Sequence, residues 1–139
     1  MAPDSQFDRL RQLSEPGAIL DPDLLARILE VLPDGVLVID ESGTVRFMNA
    51  QAELIFAYPR QDVLGNQLEM LLPTEVRERH VQHRRAFFAD PRVRPMGLGH
   101  DLKGLRRTGE EVPLEINLSP IVTAAGVYAV AVIRRRRLP

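Results

Sequence analysis

The chain has 139 residues, 45% of them hydrophobic and 27% charged, with a formal net charge of −1. That is the size and balance of one soluble globular domain, with no general attraction to nucleic acid or an anionic surface. There is no cysteine, which excludes disulfides, thiolate metal sites, cysteine nucleophiles and cofactors held through sulfur.

The opening stretch Met1–Gln12 is polar and charged and reads as no secretory leader, so a cytoplasmic protein is expected. Phe7, Leu10 and Leu13 sit at helical spacing before Pro16-Gly17, which predicts a short helical extension over residues 1–20. Asp21-Pro22 is a helix start, with Asp as cap and Pro at the first helical position. Leu24, Leu25, Ile28, Leu29 and Leu32 then form one apolar stripe that Pro33-Asp34-Gly35 ends. Val36–Asp40 and Thr44–Met48, joined by the turn Glu41-Ser42-Gly43, read as a β-hairpin. Asn49 stands at the mouth of a helix over Ala50–Ala57. A further short helical piece lies between Pro59 and Gly65.

Pro73-Thr74-Glu75 opens a longer helix over Thr74–Phe88, stopped by Asp90-Pro91. A loop with Pro95, Gly97 and Gly99 follows. His100–Arg107 reads as a strand and Thr108–Glu111 as a turn. Val112, Leu114, Ile116 and Leu118 alternate to one side of the next strand. Ala124-Ala125-Gly126 turns into a last strand, Val127–Ile133. The run Pro120–Ile133 is too short to span a bilayer. The order predicts an α+β fold: a five-stranded antiparallel sheet with helices covering one face, plus an N-terminal helical extension. The expected boundaries are an extension over 1–20, a domain over 21–135 and a tail over 136–139.

In order and spacing the elements resemble the PAS (Per-Arnt-Sim) family. The resemblance rests on five stretches: LPDGVLVIDESGTVRFMNAQAE from Leu32, DVLGNQLEMLLP from Asp62, VRERHVQHRRAFF from Val76, RPMGLGHDLKGLRRTGEEVPLEINLSPI from Arg94 and VYAVAVIRR from Val127. Where PAS domains commonly end in an Asp-Ile-Thr-like motif leading to a signalling helix, this chain has Arg134–Arg137 after Ile133. Two arrangements therefore stay open: a sensory domain excised from a larger protein, or a separate domain that signals through a partner.

The resemblance implies a sensory module for a small ligand or partner, of the kind found in two-component signalling and transcription regulation. It also implies an effector domain or separate signalling partner, and the stripe of Phe7, Leu10 and Leu13 followed by Leu24, Ile28 and Leu32 offers a seam for an expected homodimer. The pocket residues expected are Phe47, Leu54, Leu72, Val76, His80, His83, Phe87, His100, Leu102 and Ile116, drawn from a wider set with Val38, Ile55, Leu68, Leu114 and Val130. Asn49 is expected to be a structural cap.

Val76, His80, His83 and Phe87 recur at i, i+4, i+7 and i+11, one face of a helix. The plain reading is two half-buried, hydrogen-bonded histidines. The sharper one is haem: PAS oxygen sensors carry the axial histidine on this helix, and His80 falls seven residues after Pro73, as it does there. Those sensors carry an arginine on the facing strand where this chain has His100. His80 is thus the one candidate metal ligand, and only with haem. Cysteinyl flavin and thioester-linked chromophores are excluded by the lack of cysteine.

Arg84, Arg85, Arg92 and Arg94 read as a solvated basic face, and no nucleic-acid or membrane partner is expected for this domain. No nucleophile, acid–base pair or metal cluster stands out, so no enzyme is expected. Two alternatives accompany the ligand sensor: a haem-based gas or redox sensor, and a ligand-free interaction or dimerisation module.

Overall fold

A computed structural model describes residues 21–96 and 102–136. The extension expected over 1–20, His100 and the tail beyond Arg136 lie outside these residues. The chain divides into two units, one ending at Leu32 and one starting at Pro33.

In the first unit, helix α1 runs Pro22–Val31, and the Asp21 side chain accepts from the Leu24 N–H at 2.8 Å. Proline at the first position sacrifices no hydrogen bond, because that N–H has no partner inside a helix.

The second unit is a twisted antiparallel sheet with a helical layer on one face. Strands β1 (Gly35–Ile39), β2 (Val45–Met48), β3 (Arg94–Met96), β4 (Lys103–Leu105), β5 (Glu111–Thr123) and β6 (Gly126–Arg135) run in the order β2-β1-β6-β5-β3, with β4 also on β5. Strands β3 and β4 share one edge of β5: Met96 is opposite Ile116 and Lys103 opposite Pro113. The sheet therefore has five strand positions, the last filled by two segments. Residues 94–96 were expected in a loop because of Pro95. A proline is tolerated on an edge strand, where its missing N–H would face solvent.

Helix α2 (Ala50–Phe56), 3₁₀ turns over Arg60–Asp62, Leu68–Leu71 and Thr74–Val76, and helix α3 (Arg77–Ala89) make the covering layer. The core lies between the layers. Leu37, Ile39, Val45, Met48, Val112, Leu114, Ala129, Ala131 and Ile133 come from the sheet, and Ala52, Ile55, Phe56, Val63, Leu71 and Phe87 from the cover.

A bulge sets which β2 residues reach that core. Val45 is opposite Ile39 and Phe47 opposite Val38, so β2 uses two steps where β1 uses one. The extra residue reverses the alternation: Val45 and Met48 point inward, and Phe47 does not.

Asn49 holds the first hairpin to α2. It is fully buried, and its Oδ1 accepts from the Val36 N–H at 2.8 Å and the Ala52 N–H at 3.0 Å, while Nδ2 donates to the Asp34 carbonyl at 3.0 Å. One side chain caps a helix and closes a strand end. Asn49→Ala is expected to cost about 2–3 kcal/mol, the sum of a lost cap and buried backbone groups left unpaired. A urea unfolding midpoint unchanged by the substitution would contradict this role.

Candidate functional site

The sheet and cover do not close completely. Between them lies a cavity of about 460 Å³, within the range of roughly 300–1,000 Å³ typical of small-molecule sites. Its floor is the inner face of the sheet: Leu37 and Ile39 from β1, Leu114, Ile116 and Leu118 from β5, and Ala129, Ala131 and Ile133 from β6. The alternation Leu114, Ile116, Leu118 puts three branched side chains on that floor. The small Ala129 and Ala131 beside them leave the volume open.

Phe56, Leu68, Leu71 and Leu72 wall one side, with Val93 also contributing. Gly104 on β4 lets the backbone close in here. A Cβ at this residue would meet Leu114 Cδ1 at 2.7 Å and Phe56 Cε1 at 2.8 Å, nearer than packed carbons approach.

The other wall is α3, with His80, His83, Arg84, Phe87 and Phe88. The rings of Phe87 and Phe88 pack edge to face at 5.3 Å. Among the described residues the histidines and Arg84 are the only polar side chains on the cavity, and a buried carboxylate governs two of them. Glu69 sits on the Leu68–Leu71 turn and is 6% exposed. The turn is fixed against the first hairpin by the Leu68 N–H donating to the Gly43 carbonyl at 2.9 Å.

Glu69 Oε2 lies 2.8 Å from His80 Nδ1, and Oε1 accepts from Arg84 Nη2 at 3.1 Å. The Arg84 side chain is 9% exposed. Its guanidinium also covers Gly43, whose φ is +86°, and a Cβ there would overlap it. The positive φ favours glycine at this turn, and a Cβ would displace the Arg84 guanidinium.

Burial lowers the pKa of His80 below its ordinary value near 6.5, and the positive Arg84 and neighbouring His83 push the same way, while the hydrogen bond and charge of Glu69 oppose them. The net direction follows chiefly from burial, which disfavours the charged imidazolium, with Arg84 adding to it.

The expected pocket residues Leu72, His80, His83, Phe87 and Ile116 line the cavity, as do Leu68 and Leu114. Others are placed elsewhere. Leu54 is 68% exposed, because α2 turns Ala52, Ile55 and Phe56 inward and leaves the position between them outside. Ile55 is buried core beyond the cavity lining. The bulge puts Phe47 in a row with Val38 and Val130 across β2, β1 and β6, on the opposite face of the sheet.

Val76 lies in the 3₁₀ turn before α3 and outside the cavity lining, so the helical face begins one turn later than the spacing predicts. Leu102 is half-buried just before β4, and its carbonyl accepts from the Leu114 N–H. Arg84 was expected on a solvated basic face and is instead largely withdrawn from solvent, paired with Glu69. Glu69 was not singled out; a charged residue in the apolar run Leu68–Leu72 was the available signal. Among the described residues no three His, Asp or Glu side chains gather to hold a metal ion, and no helix is long and apolar enough to cross a membrane.

The family model for the PAS fold matches residues 23–136. The chain belongs to the PAS family. Among known proteins, this PAS domain is 29% identical over 100 residues to the oxygen sensor protein DosP of Escherichia coli K12, covering 72% of the chain. It is 27% identical over 112 residues to the sensor protein FixL of Bradyrhizobium diazoefficiens, covering 79% of the chain. The matches span only 12% and 22% of those proteins. The solved PAS domain of an HTR-like protein from Haloarcula marismortui superposes with a TM-score of 0.69 at 21% identity, over 94% of this chain and 98% of that one. These likenesses make the chain a PAS module related to parts of sensor proteins.

Two outcomes follow from the buried cluster. Arg84→Met strands the Glu69 carboxylate beside a neutral histidine and is expected to cost about 3 kcal/mol in urea unfolding; a loss within error of zero would mean the pair is not buried in solution. The second concerns pH. A histidine with a lowered folded pKa binds fewer protons folded than unfolded, so its contribution is full above about 6.5 and is lost as pH falls below that value toward the folded pKa. His80→Asn retains a donor near the Nδ1 position and is expected to flatten the decline of the urea midpoint between neutral and acid pH. An unchanged slope would contradict the assignment.

Proposed function

We propose that this PAS domain is a sensory module whose cavity binds a small, largely apolar ligand, and that the bound state is read by an effector domain or separate partner in a homodimeric signalling protein. The observation that carries the reading is the cavity of about 460 Å³ with an apolar floor and a single polar cluster on α3. A fold needing only a core would fill such a space, since packed interiors leave few voids larger than a water. The sensor relatives support a signalling role.

A second reading is favoured by one feature. His80 lines the cavity with Nδ1 held by Glu69, leaving Nε2 as the ring nitrogen for a metal. A ligating histidine whose second nitrogen is fixed by a carboxylate is a recurrent metal-site arrangement. The apolar lining and this donor fit haem, which when bound supplies an iron for gas or redox sensing. His80 would hold it, Glu69 would orient His80, and the branched side chains of β5 would exclude water. The similarity to a protein named as an oxygen sensor supports this reading.

One experiment addresses both. Hemin titration of purified protein is expected to produce a Soret band that His80→Ala shifts or abolishes if haem is the occupant; no specific band excludes haem. For the haem-free reading, a panel of alkyl and aryl compounds is scanned by thermal melting. A ligand at about one hundred times its Kd adds roughly 2.7 kcal/mol, a shift of several degrees. Ala131→Phe, which fills the floor, is expected to abolish it. A panel that moves neither protein would refute ligand sensing.

A further inference from the structure

Among the described residues, three polar side chains face an otherwise apolar cavity, and their existing hydrogen bonds decide what they can offer a ligand. Arg84 looks at first like an anchor for an anion. Its guanidinium is already committed: Nη2 and Nε donate to the Glu69 carboxylate at 3.1 and 3.4 Å, Nη2 also reaches Gln67 Oε1, and Nη1 reaches the Glu41 carbonyl, each at 3.4 Å. A ligand carboxylate would have to displace Glu69 from a nearly dry site, so the cation is no anion receptor. His83 is exposed and bordered by solvent, where water satisfies it.

His80 is different. Its Nδ1 is 2.8 Å from Glu69 Oε2. A carboxylate ion-paired to arginine only accepts hydrogen bonds, so the proton of this contact belongs to the histidine. A neutral imidazole carries one proton, which this contact places on Nδ1. Nε2 therefore carries the lone pair.

We infer that Glu69 fixes His80 with its proton on Nδ1, so that the cavity presents an imidazole acceptor and selects a neutral apolar ligand carrying one hydrogen-bond donor, such as a phenol or an indole. This rests on the cavity reading of the haem-free domain and names its ligand class. The floor of Leu114, Ile116 and Leu118 takes the hydrocarbon. Nε2 is the position where a hydroxyl or ring N–H is distinguished from an ether or a methylated nitrogen of the same shape. Sites built to pair a polar group reject analogues lacking it, because the site's own polar atom is left unpaired.

The test has a ligand arm and a protein arm. In the ligand arm, 4-butylphenol and 4-butylanisole are titrated against the haem-free domain by calorimetry. The phenol is expected to bind about tenfold more tightly, and His80→Leu to bring the ratio to one or invert it. Equal affinities in the wild type, or a preference that survives His80→Leu, would overturn the assignment. In the protein arm, long-range ¹H–¹⁵N spectra of the imidazoles at pH 8 are expected to show His80 protonated at Nδ1. In the paired substitution Glu69→Leu with Arg84→Leu, which leaves no unmatched charge, the proton is expected to shift toward Nε2.

An Nε2-protonated His80 in the wild type overturns the inference without touching the cavity reading. Failure of both compounds to bind at millimolar concentration, with the Nδ1 form observed, sinks phenol-class recognition and leaves the Glu69 orientation supported by its own measurement.

Discussion

A carboxylate buried among hydrocarbon must be matched, and matching Glu69 organises the cover of this domain. Unpaired in a medium of low polarity it would cost several kcal/mol. Its two oxygens are met by different residues one helical turn apart, Arg84 and His80. Both partners must then lie on the face of α3 that looks toward the sheet, which sets the rotation of the helix. The 3₁₀ turn carrying Glu69 is in turn stitched to the first hairpin: Leu68 donates to Gly43, and Val45 to Asn66. Helix, turn and hairpin are referenced to one charge.

The same arrangement explains why the space beneath α3 stays open. The helix has few apolar side chains on its inner face until Phe87, so polar groups held by Glu69 stand where a packed helix would insert leucines. The floor offers alanine at residues 129 and 131, where larger side chains would close the gap. At the opposite end Gly104 brings β4 against Phe56 and Leu114 with no room for a Cβ. One end of the layer pair is packed to contact and the other is spaced by an ion pair and a histidine.

These differences in packing also separate what was legible in the sequence from what was not. The alternation of Val112, Leu114, Ile116 and Leu118 read directly as an inward strand face, because a period of two survives whatever the strand packs against. Asn49 read as a cap from its place before Ala50, and Asp21 from the proline after it. Phe47 misled because alternation counted from Val45 ignores a bulge, and nothing local to Val45–Met48 announces one. Leu54 misled because a helix of two turns has too few residues to define a face. Arg84 is the instructive case. Among neighbouring arginines it has every local mark of solvent, and only a partner fifteen residues earlier draws it inside. Burial of a charge is decided by pairing across the fold, which residue type and spacing do not encode.

Arg84 also gives the cavity wall a mechanical connection to the rest of the sheet. Its guanidinium lies over Gly43 and reaches the Glu41 carbonyl. The carboxylate of that same Glu41 accepts from the Val127 N–H at 3.0 Å, at the turn joining β5 to β6. The polar contacts thus run from His80 through Glu69 and Arg84 to the β1–β2 turn and on to the β5–β6 hairpin. Displacing α3 by a bound molecule would strain a charged pair at the buried end of this series before it moved any apolar contact. Hydrogen bonds to a buried charge are directional and costly to stretch, whereas aliphatic side chains on the floor slide at small cost. A ligand that engages His80 therefore acts on the stiffest part of the wall, and one that touches only the floor acts on the softest. On the proposed ligand-sensing reading, chemistry at Nε2, more than occupied volume, is what these contacts would transmit.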